Sequence, residues 1–374
     1  MTKKKILVAA QHFGVTNATT PVVKELINQA YNVTVLAHNQ AEKGYPNKGV
    51  ACETTENYGV KNELSNFSEE NMYGILEKIS PDYILTGSST EREQNGLEKS
   101  LIMAANKKDI QIPTAMLVDM WDEAELRFKD YNSGDLIIPN KVFVIDDYHK
   151  KLVAEQGIPE SNIYITGNPD FDDTIKQARN FTEGKKEEIV NKFGGLETPF
   201  ILGYIGNAFK SHSEQEGRGY WDLDNFKALN EILKQNKDLT ILSTIHGRMP
   251  DEEKEEIKKY IENANPRLKF LEQGDGFGQT DLIYMADIVA TPFSTDGIKA
   301  SIIGKPVLSM QGKDKIDKLA TNKDGITYRL ENYEKLGKII NNILNNKNSF
   351  YELCPNLESF KPDGKSVEKI VALI

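Results

Sequence analysis

Residues 281–310 read DLIYMADIVATPFSTDGIKASIIGKPVLSM. The order of residue types predicts helix, strand, turn, helix, strand. Leu282, Ile283 and Met285 recur at helical spacing, and Asp287-Ile-Val-Ala-Thr-Pro is a short apolar run that stops at Pro292. Ser294, Thr295 and Asp296 are capping residues for the next helix, and Gly297 leaves room for a ligand against its backbone. Gly304-Lys305-Pro306 turns the chain into a second buried strand, Val307 to Met310. A helix N-terminus at the carboxyl edge of a parallel sheet offers free N–H groups and a positive dipole end, which suits a phosphate.

The alternation continues outward. Lys5-Ile-Leu-Val-Ala-Ala predicts a buried strand, followed by a loop from His12 to Thr20, a helix opened by Pro21, and a strand at Val33 to Ala37. Gln40 to Ser65 is polar and reads as irregular. Ser68 caps a predicted helix to Ile79. Asp82-Tyr-Ile-Leu-Thr is a strand with the loop Gly87-Ser-Ser-Thr-Glu, and Ile112 to Val118 is a strand with the loop Asp119 to Phe128. Phe181 to Glu197 is charged, carries Gly194-Gly195, and reads as a linker. Pro199-Phe-Ile-Leu-Gly-Tyr-Ile-Gly-Asn opens a second run, in which Leu239 to Ile245 is a strand followed by His246-Gly-Arg248. Two strand–helix runs predict an α/β chain of two parallel-sheet, Rossmann-like domains, residues 1–180 and 198–360.

Composition bounds the function. The chain has 374 residues, enough for two domains, with 27% charged and 39% hydrophobic residues, as in ordinary globular proteins. A net charge of −10 leaves no basic excess for nucleic acid. Cys52 and Cys354 stand far apart and predict a reducing compartment without a disulfide framework. No apolar run approaches the ~20 residues that span a bilayer. Met1-Thr-Lys-Lys-Lys leads into a strand and does not read as a signal peptide. The expectation is a cytoplasmic protein, with peripheral membrane contact and oligomeric state left open.

In open parallel sheets ligands bind beyond the carboxyl ends of the strands. This nominates His12 as a general base, or else as a surface histidine beside a helix cap. Gly14 permits close approach, and Thr16 and Asn17 can bond hydroxyls. Ser88 is placed to receive an acceptor group. Asp119, Asp122, Glu123 and Arg127 suit acid–base or anion work, or else are solvated. Gly206 and Asn207 end the first strand of the second run, and the loop from there to Gly219 is long enough to move. His246 and Arg248 can hold phosphate oxygens. Asp222-Leu-Asp224 has a metal-binding spacing but opens a helix, so capping explains it and no metal is expected.

Helix, "AD", apolar strand, "ST", small helix and "GKPV" in residues 281–310 resemble the donor-binding segment of GT-B glycosyltransferases and of the UDP-GlcNAc 2-epimerases that share their fold. "TGNPDFD", ending the strand from Asn162, resembles the "GNPxxD" piece that closes the first domain of epimerases and many GT-B transferases. "TGSS…LEKS…A…IP…D.W…RF" is similar to uncharacterised relatives of that superfamily. The resemblance implies two Rossmann-like domains facing across a cleft, the second binding a nucleotide sugar, and a C-terminal helix, 361–374, that crosses back to the first. It implies that Asn168 lies at the cleft, that Ser294 to Gly297 hold the diphosphate and that Phe277 stacks on the base. Five residues before the Gly of "GKPV" the family has a ribose-binding Glu; here it is Lys299, which cannot accept hydrogen bonds from a diol. Either the ribose is held otherwise, or Lys299 meets a phosphate or a sugar carboxylate.

The implied function is a metal-independent glycosyltransferase of polysaccharide biosynthesis. It takes a nucleotide sugar as substrate, with no cofactor, and passes the sugar to a hydroxyl of a glycan or small-molecule acceptor. One alternative is a sugar-nucleotide 2-epimerase or hydrolase of the same fold. Those epimerases usually carry an "HVEAGLR"-like segment; Ile112 to Phe128 has carboxylates in a comparable place but not those words. Another is a non-catalytic two-domain protein that binds an anionic ligand. Base, sugar, acceptor and stereochemistry are not legible.

Overall fold

A computed structural model describes residues 4–91, 93–107, 109–121, 123–192, 195, 198–247, 249–271, 279–312, 314, 317–346, 348–358 and 360–374. The chain divides into two compact units, Met1–Asp173 with Pro362–Ile374, and Thr174–Lys361. The sheet of unit 1 contains β1 (Lys5–Ala10), β2 (Asn32–Ala37), β3 (Tyr83–Thr86), β4 (Thr114–Leu117), β5 (Lys141–Val144) and β6 (Ile163–Ile165). They are ordered β2-β1-β3-β4-β5-β6. The sheet of unit 2 contains β7 (Phe200–Ile205), β8 (Leu239–Thr244), β9 (Leu268–Phe270), β10 (Ile288–Thr291), β11 (Val307–Ser309) and β12 (Tyr328–Arg329), ordered β12-β11-β10-β7-β8-β9. Every described strand pairing is parallel. The two Rossmann-like domains read from the strand–helix alternation are therefore present.

Parallel sheets are covered on both faces, so their strands are apolar throughout. In β1, Ile6 and Val8 pack with the helix Phe13–Asn28, while Leu7 and Ala9 pack with the helices Glu69–Ile79 and Leu97–Ala105. Ile370 and Val371 of the last helix, Ser366–Leu373, join the first of these clusters. Asp172 anchors that helix: its carboxylate accepts from Ser366 Oγ at 2.8 Å and from Val367 N at 3.1 Å. Gly167, at φ 85°, leaves the space that the Ser366 side chain fills.

Several segments differ from the sequence reading. His12 to Thr20 is no loop; a helix runs from Phe13 to Asn28 with Pro21 inside it. Val15, Ala18, Val22, Val23 and Leu26 form a buried stripe that carries the helix through the proline, outweighing the lost N–H. Gln40 to Ser65 contains the helix Ala41–Asn47, and the loop after β4 contains the helix Ala124–Phe128. The loop after β7 contains the helix Lys210–Glu216. Pro169 does not end a strand but opens the helix Pro169–Asn180, within which one unit passes to the other. The presumed linker holds the helix Glu183–Lys192, whose Ile189 is buried among Ile201, Leu282 and Met285 of unit 2. Its mostly charged sequence masked a narrow apolar stripe.

Ile370→Ala should cost unit 1 about 2–5 kcal/mol, as for a fully buried isoleucine. Urea unfolding would show it; a loss under about 0.5 kcal/mol would mean that the last helix contributes little to this core.

Candidate active site

Strand order reverses between β1 and β3, so the loops that follow these strands diverge and open a crevice. His12 comes just after β1 and precedes the helix Phe13–Asn28. Its Nε2 lies 2.9 Å from Oε1 of Glu91, in the loop after β3. Gln11 Nε2 donates to the same oxygen at 3.0 Å. Both partners remain partly open to solvent, with 35% and 19% of their side-chain surfaces exposed. Donation from His12 to the Glu91 carboxylate is the main cause that raises the His12 pKa, and the same contact lowers that of Glu91.

Glu98 lies behind this pair on the helix Leu97–Ala105, fully buried. Its Oε1 accepts from Gln11 N at 3.0 Å and Ser89 Oγ at 2.6 Å, while Oε2 has no partner among the described residues. Burial pushes its pKa up to about 7. Gln11 is gripped on its other side by Leu97 N, which donates to its side-chain oxygen. Three segments are thus tied together directly beneath His12.

Asp119, Arg127 and Ser88 do come together, but as a buried lock. Arg127 Nη1 lies 3.3 Å from Asp119 Oδ1 and donates to Ser88 Oγ at 2.8 Å and to the Ser88 carbonyl. Gly14 makes room for it: a Cβ there would lie 2.5 Å from Asp119 Oδ2. The close approach that Gly14 permits is therefore that of a carboxylate of this chain. Asn168 Nδ2 donates to the Asp119 carbonyl at 2.9 Å. Thr16 Oγ1 is spent on the His12 carbonyl at 2.7 Å. Glu123 is half-buried, in the left-handed region at φ 50°. Nearby, His149 accepts from Ile145 N on Nδ1 at 3.3 Å, and its buried Nε2 has no partner among the described residues. Burial, helped by the charge of Arg127, drives its pKa down to about 3.

In unit 2 the order reverses between β7 and β10. Asn207, after β7, accepts from Phe293 N at 3.3 Å, which joins the two loops at this point. Ser294 caps the helix Thr295–Ile302, accepting from Asp296 N at 3.2 Å. Thr295 is exposed, Asp296 adds a negative charge to the first turn, and Lys299 is half-buried in the last turn. Gly297 has a packing role: a Cβ there would lie 2.8 Å from Thr291 Cγ2. His246 follows β8, with its ring 5.4 Å from that of Phe209. It lines a cavity of about 200 Å³ with Lys254, Lys258 and Phe270. Arg218 and Lys318 lie 4.9 and 5.5 Å from the Phe293 ring centre. Gly206 sits over the buried carboxyl of Asp222, while Asp224 accepts from Trp221 N at 3.2 Å, the expected cap. Asp122, Arg248 and Phe277 lie outside the described residues.

The model of the family described as UDP-N-acetylglucosamine 2-epimerase matches residues 138–374. The chain belongs to that family. The fold is similar to the S. aureus MnaA–UDP co-structure, with TM-score 0.70, 16% identity, and 98% of this chain and 95% of that one covered. It is similar to UDP-GlcNAc 2-epimerase from Neisseria meningitidis bound to UDP-GlcNAc, with TM-score 0.70, 14% identity and 98% of each chain covered. A glycosyltransferase from Rickettsia africae matches at TM-score 0.66 and 17% identity, covering 100% of this chain and 98% of that one. No curated protein matches the sequence. Among the described residues no helix is long and apolar enough to cross a membrane.

Sequence reading missed Glu91 and Glu98 and took Asp222 with Asp224 for a cap, whereas Asp224 caps and Asp222 is buried against Tyr204. A signal existed for Glu98. In LEKSLIMAA the charged pair interrupts a mostly apolar helix, and eight of its nine residues are buried. A carboxylate in a helix buried nearly all round must be held by specific donors.

His149 carries a pH prediction. The folded imidazole stays neutral down to about 3, whereas the unfolded one binds a proton near ~6.5. Below that value the unfolded state takes up the proton first, so folded stability falls by up to about 1.4 kcal/mol per pH unit. His149→Gln removes this linkage. Urea midpoints between about pH 6.5 and 4.5 should fall more steeply for the wild type; equal slopes would refute the assignment.

Proposed function

We propose that the protein is a sugar-nucleotide 2-epimerase or the corresponding hydrolase, acting on a UDP-N-acetylhexosamine. Unit 2 is the nucleotide-binding unit, and the titratable groups of unit 1 are the candidates for acid–base work. Family membership supports this, as do the UDP and UDP-GlcNAc bound in structures of similar fold. The observation that carries the proton-transfer part is the His12–Glu91 pair, which is accessible and lies where the strand order of unit 1 reverses.

Inverting carbon 2 requires its proton to leave and a proton to return on the other face. Carbon 1 of a UDP-sugar carries the diphosphate and no carbonyl, so a carbanion at carbon 2 gains no resonance there. Proton loss becomes favourable when the C1–O bond to UDP breaks and the C2–H pair forms a C1=C2 bond. Donors must then meet the charge on the leaving diphosphate, which re-adds at C1 as the new proton reaches C2, or is replaced there by water in the hydrolase. His12, with Glu91 setting its basicity, is the base. Asp119 is held by Arg127 and keeps that loop in place. Asn207, His246 and Lys299 are the diphosphate donors; at the helix start the N–H groups of Ser294, Asp296 and Gly297 are already bonded within the turn. The Asp222-Leu-Asp224 pair is not arranged as a metal site, since Asp224 is used as a cap and Asp222 is enclosed beneath Gly206.

Glycosyl transfer is the second reading, favoured by the absence of an HVEAGLR-like segment from Ile112 to Phe128. Incubation with UDP-GlcNAc and no acceptor separates the two. Conversion to the 2-epimer or release of UDP supports the first reading; UDP release that needs an acceptor supports the second.

His12→Gln should lower kcat by about 10²- to 10⁴-fold, the usual contribution of a general base. If neutral His12 is the working form, activity rises with pH through its pKa. Glu91 raises that pKa, so Glu91→Gln should move the acidic limb of the kcat profile to lower pH. An unmoved limb would remove His12 from the mechanism.

A further inference from the structure

Asp222 lies at the start of the helix Asp222–Gln235, beneath the loop that follows β7. It is fully buried. Its N–H donates to the Ala208 carbonyl at 2.9 Å. Its Oδ1 accepts from the Tyr204 hydroxyl at 2.7 Å, and that hydroxyl accepts from Asn225 Nδ2 at 2.9 Å. Tyr333 donates to the other end of the same amide. Asp222 Oδ2 makes no hydrogen bond among the described residues, and neither does buried Thr244 Oγ1. A Cβ at residue 206 would come within 2.7 Å of Oδ2 and 3.2 Å of the Thr244 carbonyl. Only glycine fits there, and Oδ2 lies directly under the chain at residue 206.

Other acidic groups face this carboxyl, and among the described residues no ion pair neutralises it. Tyr204 and Tyr333 face it with hydroxyls whose pKa values are themselves raised. Glu253, from the helix Asp251–Glu262, adds negative charge. Tyr220 faces it too, amid Arg218, Arg329 and Asp314. Burial is the largest influence and raises the Asp222 pKa to about 7, against a smaller opposing pull from Tyr204 and from the N–H groups of Ala208 and Asn207.

We propose that Asp222 is the positioning residue of the nucleotide loop: it anchors residues 206–208 from beneath and holds a proton when a diphosphate lies on that loop. The inference rests on the reading of unit 2 as the nucleotide site. An ionised carboxylate under a bound diphosphate would place like charges together in a poorly screened environment. A protonated one keeps the loop anchored without that repulsion. The complex therefore binds one proton more than the free protein wherever Asp222 is ionised in the free protein. Ligand affinity must then fall as pH rises, by up to about tenfold per pH unit.

The probe is UDP-glucose, whose esterified diphosphate keeps a constant charge over the range used. Titration calorimetry from about pH 6 to 8.5, in buffers of different ionisation enthalpy, should show affinity falling and proton uptake rising towards one. Asp222→Asn should bind like the wild type at low pH and lose the decline. Tyr204→Phe removes the donor that favours the ionised carboxyl, so its decline should begin at higher pH; this variant serves if Asp222→Asn does not fold. A wild type that binds neither UDP-glucose nor UDP at any pH overturns the nucleotide reading, and this inference with it. A wild type that binds with no decline, a decline that Asp222→Asn retains, or one that Tyr204→Phe leaves in place, overturns the inference alone.

Discussion

Each unit depends on a reversal of strand order in a parallel sheet. Where consecutive strands leave a central strand in opposite directions, the loops beyond their carboxyl ends separate, and side chains there are not covered by a crossover helix. In unit 1 this occurs between β1 and β3, and in unit 2 between β7 and β10. The chain places its least compliant chemistry at both points: a histidine–carboxylate pair in the first, a capped helix and an asparagine-tied loop in the second. The sheets need those strands buried on both faces, which fixes the loops tightly at their roots.

The two sites also share a device. A carboxyl is buried directly behind each of them, Glu98 in unit 1 and Asp222 in unit 2, and burial raises both to about 7. Burying an acid with one oxygen unsatisfied costs stability. Each offsets part of that cost by gripping the end of a central strand: Glu98 takes Gln11 N and Ser89, and Asp222 takes Tyr204 while its own N–H binds Ala208. Such groups fix the backbone beside a site without being reached by its ligand.

The architecture was legible because it rests on local signals. Apolar runs ending in Gly, Pro or Asn gave the strands, and alternation with helices required parallel pairing. The family was legible at two places, "GKPV" with its preceding helix and "TGNPDFD", and the match over residues 138–374 contains both. Helix boundaries failed where burial overruled a local rule. Pro21 sits inside a helix because a buried stripe continues past it, and the charged segment from Phe181 forms a helix because Ile189 finds a core. Within the site, His12 was visible as a polar residue after a strand. Its partner Glu91 was not, because 79 positions separate them and only the β1–β3 pairing brings them together. Asp119 and Arg127 were visible as charges, but their locking to each other depends on the space left by Gly14, which no spacing reveals.

The helix N-terminus in unit 2 shows how far such a motif reaches. The cap at Ser294 forms as its sequence requires, yet two of its neighbours have roles unlike those the motif implies. Gly297 is small because Thr291 packs against it, and Asp296 already brings negative charge to the dipole. A phosphate at that end alone would meet a carboxylate in the first turn, and the dipole contributes only about 0.3–1 kcal/mol at an exposed end. That is too little to hold a diphosphate by itself. Under the proposed function, binding strength has to come from donors on other strands as well, and Asn207 after β7 and His246 after β8 are two such groups among the described residues. The tie between Asn207 and Phe293 sets the spacing between the loop after β7 and the helix cap, and under the proposed function that spacing brings weak donors on separate strands to one ligand.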